Sequence, residues 1–251
     1  MRFDILTIFP DFFDSPLAAG MIRRAWQGQI IDVRVHNIRD FTANKHAMTD
    51  DRPFGGGAGM VMKPEPLAAA VRHARVDSAG GKVVLLSPQG RTLDQRLATE
   101  LAGEQHLILV CGRYEGVDER FRSAYVDREV SIGDYVLTGG EPAALVLLDC
   151  VIRLLPGVLG CDESAANDTF SPGSRGGLKY PQYTRPRVFE GQKAPEVLFS
   201  GDHAVIAQWR FLAAVRRTVE RRPELLNTAT FTPAELKLLA RHDLLNKSEM
   251  A

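Results

Sequence analysis

Apolar residues along this chain follow two rhythms, and the rhythms alternate. Val83–Leu86 and Leu107–Val110 are unbroken apolar runs, the pattern of strands buried on both faces, and Met1–Pro10 reads as a first strand. Ile30–Val35 alternates like a strand, and Phe12–Trp26 has apolar residues at helical spacing. Helices are predicted over Pro66–Arg75, Leu93–Leu101, Asp118–Arg122 and Glu141–Leu155, and a further strand over Ala124–Val130. Strands and helices in this order predict an α/β domain over residues 1–160, doubly wound on a mostly parallel sheet. Gly157–Gly177 then turns rich in Gly, Ser, Asn and Asp, which marks residues 161–178 as a flexible linker. Residues 179–251 read as a small α-helical domain, with helical stretches at Val205–Val219, Pro223–Leu226 and Pro233–Leu245.

The strands of the first domain end in polar, glycine-bearing loops. Ser87-Pro88-Gln89-Gly90, Gly112-Arg113-Tyr114-Glu115-Gly116 and Ser131 to Pro142 each follow a predicted strand. An open parallel sheet delivers such carboxyl-terminal loops to one crevice, the usual ligand site of the class. In the third loop Gly139 and Gly140 are followed by Glu141-Pro142 rather than Lys-Ser or Lys-Thr, which disfavours a polyphosphate and suits a neutral or cationic ligand. Taken alone, such a loop reads first as a tight strand-to-helix turn with a helix cap, and it is the three together that point to a ligand. Thr49 to Gly59 is richer in glycine than a plain connection needs; it is either a flexible solvent loop or a reader of a guanine edge through Asp50, Asp51 and Arg52.

Composition narrows the function. Lys+Arg and Asp+Glu both number 31, so no global field draws the protein onto nucleic acid or an anionic membrane, and any RNA binding uses a local patch. Arg216, Arg217, Arg221 and Arg222 offer one such patch, or a solvated charged face. The first ten residues lack the features of a secretion signal, and Ala143–Leu155 is too short to span a bilayer. Cys111, Cys150 and Cys161 favour a reducing cytoplasm, and neither they nor the six histidines have metal-ligand spacing. No G-x-S-x-G, C-x-x-C or, after the first strand, G-x-G-x-x-G motif is present, which disfavours a hydrolase, a thiol-redox protein and a Rossmann dehydrogenase.

Asp149 and Arg153 share a helix face at a spacing that suits a simple ion pair, and Asp168 lies in the linker within Ala166-Asn167-Asp168-Thr169-Phe170. Thr49–Met60, Ser87–Gly90, Cys111–Gly116, Ser131–Pro142, Asp149–Gly160, Asn167–Phe170 and Pro181-Gln182-Tyr183-Thr184-Arg185-Pro186, taken together and in this order, resemble the bacterial tRNA (guanine-N1-)methyltransferase family of the SPOUT class. The resemblance covers nearly the whole chain. It implies a deep trefoil knot in the first domain, binding of S-adenosyl-methionine, and methylation of N1 of the guanosine at tRNA position 37, just 3′ of the anticodon. The cofactor would be held by Leu86, Ser87, Pro88, Gln89 and Gly90, by Gly112, Arg113, Tyr114 and Glu115, and by Ser131, Ile132, Gly133, Asp134, Tyr135, Val136, Leu137, Gly139, Gly140 and Pro142. Asp50, Arg52, Gly55 and Gly57 would bind the substrate. The family works as a homodimer with shared active sites, the helical domain binding tRNA.

The resemblance also makes Asp168 the catalytic base and Arg153 the catalytic cation. Guanine N1 carries a proton, so methyl transfer needs a base for that proton and a cation for the charge developing on O6. A free carboxylate, with a pKa of about 3.9, is weak for this task, so Arg153 or a metal ion such as Mg2+ must acidify the guanine. Glu115, Asp134 and Glu141 are all candidates to offset the cofactor's positive charge. The chain departs from the family pattern at Lys179, where many members are acidic, at Gln182, where others have His, and in a longer Ser171–Arg175 segment. These departures bear on how the linker docks. The competing readings are a related SPOUT methyltransferase with another RNA target, which the Thr49–Met60 loop, Asp168 and the helical tail disfavour, and a non-catalytic RNA-binding protein, which Asp168 and Arg153 disfavour.

Overall fold

The computed structural model describes residues 1–43, 45–76, 80–160 and 166–244. The chain divides into two compact units, Met1–Gly160 and Cys161–Ala251. In the first, the elements run β1 (Arg2–Thr7), α1 (Asp14–Leu17), α2 (Gly20–Gln27), β2 (Asp32–Asn37), β3 (Asp50–Asp51), β4 (Val61–Met62), α3 (Pro64–Ala74), β5 (Lys82–Thr92), α4 (Gln95–Ala102), β6 (His106–Cys111), α5 (Glu119–Tyr125), β7 (Arg128–Ser131) and α6 (Glu141–Ile152). Five strands form a parallel sheet in the order β2-β1-β6-β5-β7.

Both faces of the sheet are covered, which is why its strands read as continuous apolar runs. On one face Phe3, Ile5, Val84, Leu86, Leu107 and Leu109 pack with Ile22 of α2, Leu97 and Leu101 of α4, and Leu147, Leu148 and Val151 of α6. On the other, Leu6, Val83, Leu85, Ile108 and Val110 pack with Leu67 and Val71 of α3 and Phe121 of α5. Neighbouring residues of one strand thus serve opposite cores. Each fully buried aliphatic side chain is worth about 1.5–3 kcal/mol.

One charge lies inside this apolar frame. The Asp4 carboxylate, fully buried, accepts from Arg2 Nε at 2.6 Å and meets His36 Nε2 at 2.5 Å and His106 Nε2 at 2.6 Å. Burial alone would raise its pKa; the hydrogen bonds from His106, His36 and Arg2 outweigh burial and hold it well below the ordinary carboxylate range.

Several sequence expectations change here. The helix expected over Phe12–Trp26 is broken into a 3-10 turn (Pro10–Phe13), α1 and α2, because Gly20 adopts φ +60°. The strand expected over Ala124–Val130 begins only at Arg128: Ala124 and Tyr125 continue α5, whose first turn is capped by Asp118 accepting from the Arg120 N–H and whose Phe121 enters the core. Ser87–Gly90, expected as a turn, lies within β5, which continues to Thr92 after a register shift between Leu86 and Arg91 and pairs Arg91 with Val130. The helix expected to reach Leu155 ends at Ile152.

The second unit holds a short antiparallel hairpin, β8 (Val188–Phe189) with β9 (Gln192–Lys193), followed by α7 (His203–Arg221), a 3-10 turn (Pro223–Thr228) and α8 (Pro233–Arg241). The sequence pattern misses the hairpin, whose two-residue turn is Glu190-Gly191, both at positive φ. Asp202 caps α7 by accepting from the N–H groups of Ala204 and Val205, and Thr232 with Glu235 forms a capping box on α8. Leu245, the expected end of the last helix, and residues 161–165 of the expected linker lie outside the described residues.

Candidate active site

The carboxyl ends of β5, β6 and β7 line one crevice. Leu86, Ser87, Pro88 and Gln89 come from the first strand end, Gly112, Arg113, Tyr114 and Glu115 from the second, and Ser131, Ile132, Gly133, Tyr135, Val136, Leu137, Gly139 and Gly140 from the third. Three of the expected cofactor residues do not line it. Gly90 is packed on β7, where a Cβ would stand 2.4 Å from the Glu129 carbonyl carbon and the Val130 nitrogen. Asp134 is exposed to solvent, and Pro142 sits in the first turn of α6.

The crevice is held by backbone meeting backbone. The Gly140 N–H donates to the Gly112 carbonyl at 2.9 Å, and a Cβ at Gly140 would lie 2.8 Å from the Cys111 Cα. Gly139 pairs with Arg113 as an antiparallel bridge, and a Cβ there would lie 2.1 Å from Arg113 Nε. The Leu93 N–H donates to the Ser131 carbonyl at 2.7 Å. A Cβ at Gly140 meets backbone and would displace a loop, whereas one at Gly139 meets the Arg113 side chain and would displace that.

Glu141 anchors the floor. Its fully buried carboxylate accepts from Thr7 Oγ1 at 2.7 Å and from Arg113 Nε at 3.0 Å, and Arg113 Nη2 lies 2.9 Å away. Arg113 donates also to the Thr138 carbonyl at 3.1 Å, and its guanidinium lies 4.5 Å from the Phe9 ring centre. Glu141 is therefore committed to the protein, as a link between the end of β1 and the second crevice loop. Of the three carboxylates considered for charge balance, Glu115 alone lines the crevice. Burial, and next the Glu141 charge, push the Cys111 thiol well above its ordinary range, which removes it as a nucleophile.

Sequence reasoning misses Glu119, Arg122 and Glu129, which also line the crevice. Arg122 hydrogen-bonds both Glu119 and Glu129, and its bond to Glu119 holds that carboxyl below the ordinary range. The Glu119–Arg122 spacing of three is a common helix pair, so nothing in the sequence singles it out.

Asp50, Arg52, Gly55 and Gly57 do not line the crevice. They belong to the β3–β4 hairpin, in which Asp50 pairs with Met62 and the positive φ angles of Gly55 and Gly57 shape the tip. The hairpin is tied to the second crevice loop, because the Glu115 N–H donates to the Met60 carbonyl at 3.0 Å and the Met62 N–H to the Gly116 carbonyl at 2.9 Å.

The two expected catalytic residues belong to different units. Arg153 is the C-cap of α6, its N–H directed at the Asp149 carbonyl at 3.4 Å. Asp168 opens a hydrogen-bonded turn: its Oδ1 accepts from the Thr169 N–H at 3.0 Å and lies 3.8 Å from Lys179 Nζ. The buried Ser171 hydroxyl lies 2.7 Å from the Ala166 carbonyl and 2.6 Å from that of Asp168, and the Phe170 N–H donates to the Gly177 carbonyl at 2.9 Å.

Comparison with known proteins adds the decisive finding. The family model described as tRNA (Guanine-1)-methyltransferase TrmD matches residues 1–228. A tRNA (guanine-N(1)-)-methyltransferase of Geotalea uraniireducens is 54% identical over 239 residues, 95% of this chain and 96% of the relative. One of Citrifermentans bemidjiense is 49% identical over the full length of both, and one of Geobacillus kaustophilus is 49% identical over 95% of this chain and 97% of its own. With its three-loop crevice and a match along nearly its whole length, the chain belongs to the tRNA (guanine-1)-methyltransferase family.

Proposed function

We infer that this protein is a tRNA methyltransferase that transfers the methyl group of S-adenosyl-methionine to N1 of the guanosine at tRNA position 37. Membership of the family over the whole chain carries this conclusion. The crevice residues suit such a cofactor. Leu86, Ile132 and Leu137 offer apolar contact, the glycines bring backbone groups within reach, and Glu115 supplies a carboxylate for the positive end. When bound, S-adenosyl-methionine provides an activated methyl group on a sulfonium.

Asp168 takes the N1–H proton, which frees the nitrogen electron pair for the methyl group that the sulfonium would give up as a neutral thioether. Arg153 holds the negative charge that grows on O6, which makes the N1–H more acidic and lets a carboxylate suffice. Among the described residues no group of three or more His, Cys, Asp and Glu is placed to hold a metal ion. The hairpin of Asp50, Arg52, Gly55 and Gly57 contacts the target strand, since it is tied to the crevice loop that carries Glu115.

The close crossings at Gly90 and Gly140 support a deep trefoil knot as the form of the crevice, an exception to the general rule against threaded chains. By the family resemblance the enzyme is a homodimer in which one subunit's crevice is served by the other's Asp168. Exposed Val146 on α6 and exposed Phe189 in the second unit are apolar surface that such an assembly would cover. The domain assignment follows: residues 1–160 bind the cofactor, 161–178 link, and 179–251 bind tRNA. A tRNA substrate places the enzyme in the cytoplasm, and no helix among the described residues is long and apolar enough to cross a membrane.

The test is methyl transfer from labelled S-adenosyl-methionine to tRNA transcripts with guanosine or adenosine at position 37. Wild type labels the guanosine transcript alone, and Asp168→Ala loses about 10²-fold or more of the rate, the usual worth of a general base. Labelling of neither transcript, with cofactor still bound, would point to another RNA or to a binding protein.

A further inference from the structure

The charge beside Asp168 is at odds with a base waiting to accept a proton. Lys179 Nζ lies 3.8 Å from Asp168 Oδ1, and both side chains are about two-thirds buried, with 28% and 32% of their surface exposed. An ammonium beside a carboxylate stabilises the ionised form and makes it a poorer base. The pair is fixed by the backbone. The Lys179 N–H donates to Thr169 Oγ1 at 3.2 Å, so the strand of chain bearing Lys179 lies alongside the turn bearing Asp168. That strand is in turn anchored on α7: the Leu178 N–H donates to Thr218 Oγ1 at 3.0 Å, and Arg217 Nη1 reaches the Lys179 carbonyl at 3.5 Å.

Lys179 also faces a second environment. It lines an open groove with Tyr180, Tyr183, Arg217 and Arg221, in which all the charged groups are cations. Aromatic rings interleaved with cations are the surface an RNA backbone and its unstacked bases prefer. A phosphate there would compete with Asp168 for the Lys179 ammonium, and a lysine on its flexible stem can serve either.

We propose that Lys179 is a positioning residue that changes partner: it pairs with Asp168 in the free protein and moves to a phosphate of the bound tRNA, releasing the carboxylate as a base only when substrate is present. This rests on Asp168 being the base. The proton leaving guanine N1 then meets a carboxylate that Lys179 no longer holds. Binding the RNA and arming the base become one event, and the binding energy is spent partly on breaking the ion pair.

The test is a double-mutant cycle on tRNA affinity, measured with the full-length protein at several salt concentrations. Asp168→Asn frees Lys179 in advance and tightens tRNA binding by roughly 2- to 5-fold, the scale of a partly exposed ion pair. In a Lys179→Gln background the same change has no effect on affinity. Lys179→Gln also lowers the slope of log affinity against log salt by about 0.7–0.9, one phosphate contact, and Lys179→Arg restores it. Equal tightening by Asp168→Asn in both backgrounds would reduce the effect to general repulsion and overturn the proposal, as would an unchanged salt slope. Because these are binding measurements, they stand apart from the base assignment: methyl transfer by Asp168→Asn at the wild-type rate would sink that assignment whatever the cycle shows.

Discussion

The crevice of the first unit and the Asp168 turn of the second are built in opposite ways. At the crevice, backbone touches backbone, Gly90 and Gly140 mark crossings where a Cβ would meet main-chain atoms, and the carboxylate beneath it, Glu141, is wholly buried and bound on both oxygens. Around Asp168 backbone bonds, Phe170 N–H to the Gly177 carbonyl and Ser171 N–H to the Asp168 carbonyl, are joined by side-chain contacts of Ser171, Thr169 and Lys179, and the carboxylate is about one-third exposed. A rigid frame suits a cofactor that must be gripped the same way in each turnover, while a turn held by exchangeable polar contacts suits a group that acts only with the second substrate in place. The first region should fail as a whole when touched, and the second should fail locally.

The sharpest way to break this contrast is Glu141→Ala. Removing a buried carboxylate strands the Arg113 guanidinium and the Thr7 hydroxyl, and a loss of about 3–5 kcal/mol of stability is expected by denaturant unfolding, with cofactor binding lost alongside. A loss under about 1 kcal/mol would show that the floor is not a frame. Asp4→Asn comes next, with about 2–3 kcal/mol lost at pH 7. The folded Asp4 carboxyl is held below its unfolded value, so its stabilisation is present above the unfolded pKa of about 3.9 and is lost as pH falls through the folded range. The gap between wild type and variant therefore narrows below about pH 4, as unfolding curves across pH would show.

Gly140→Ala forces a methyl group to within 2.8 Å of the Cys111 Cα, and the expected cost is about 1–3 kcal/mol with weaker cofactor binding by calorimetry. Ser171→Ala is the mildest. It removes a hydroxyl that serves the carbonyls of Ala166 and Asp168, for about 1 kcal/mol. Its methyl-transfer rate should fall while cofactor affinity stays at the wild-type value. A fall in cofactor affinity would erase the distinction between the two regions.

What the sequence discloses of this molecule follows the same division. Val83–Leu86 and Leu107–Val110 announce themselves because two-sided burial leaves no polar position to blur the run. The three loops were legible as a group, since strand ends in a parallel sheet converge wherever the helices between them happen to lie. The break at Gly20 was hidden because a single glycine in a helical pattern is weak evidence of a boundary. Ala124 and Tyr125 suit a strand as well as a helix, and the Asp118 cap decided between them. The role of Glu141 could not be read at all: its partners Thr7 and Arg113 are 134 and 28 residues away. Lys179 stands out in the sequence only as a departure from the family pattern, and its partner shows once the fold lays it beside Asp168.

The buried Asp4 has a meaning for assembly as well as for stability. β1 and β6 are both short apolar runs, and a shift of two residues between them would keep every apolar side chain on its proper face. Asp4 lies level with Ile108 and Arg34, two residues from each histidine, so sliding β1 by two residues either way would bring it level with one histidine and leave it four residues from the other. The Asp4 charge therefore works as a checksum on strand order and register: greasy strands can be shuffled at little cost, but the native register keeps this carboxylate within reach of both histidines at once.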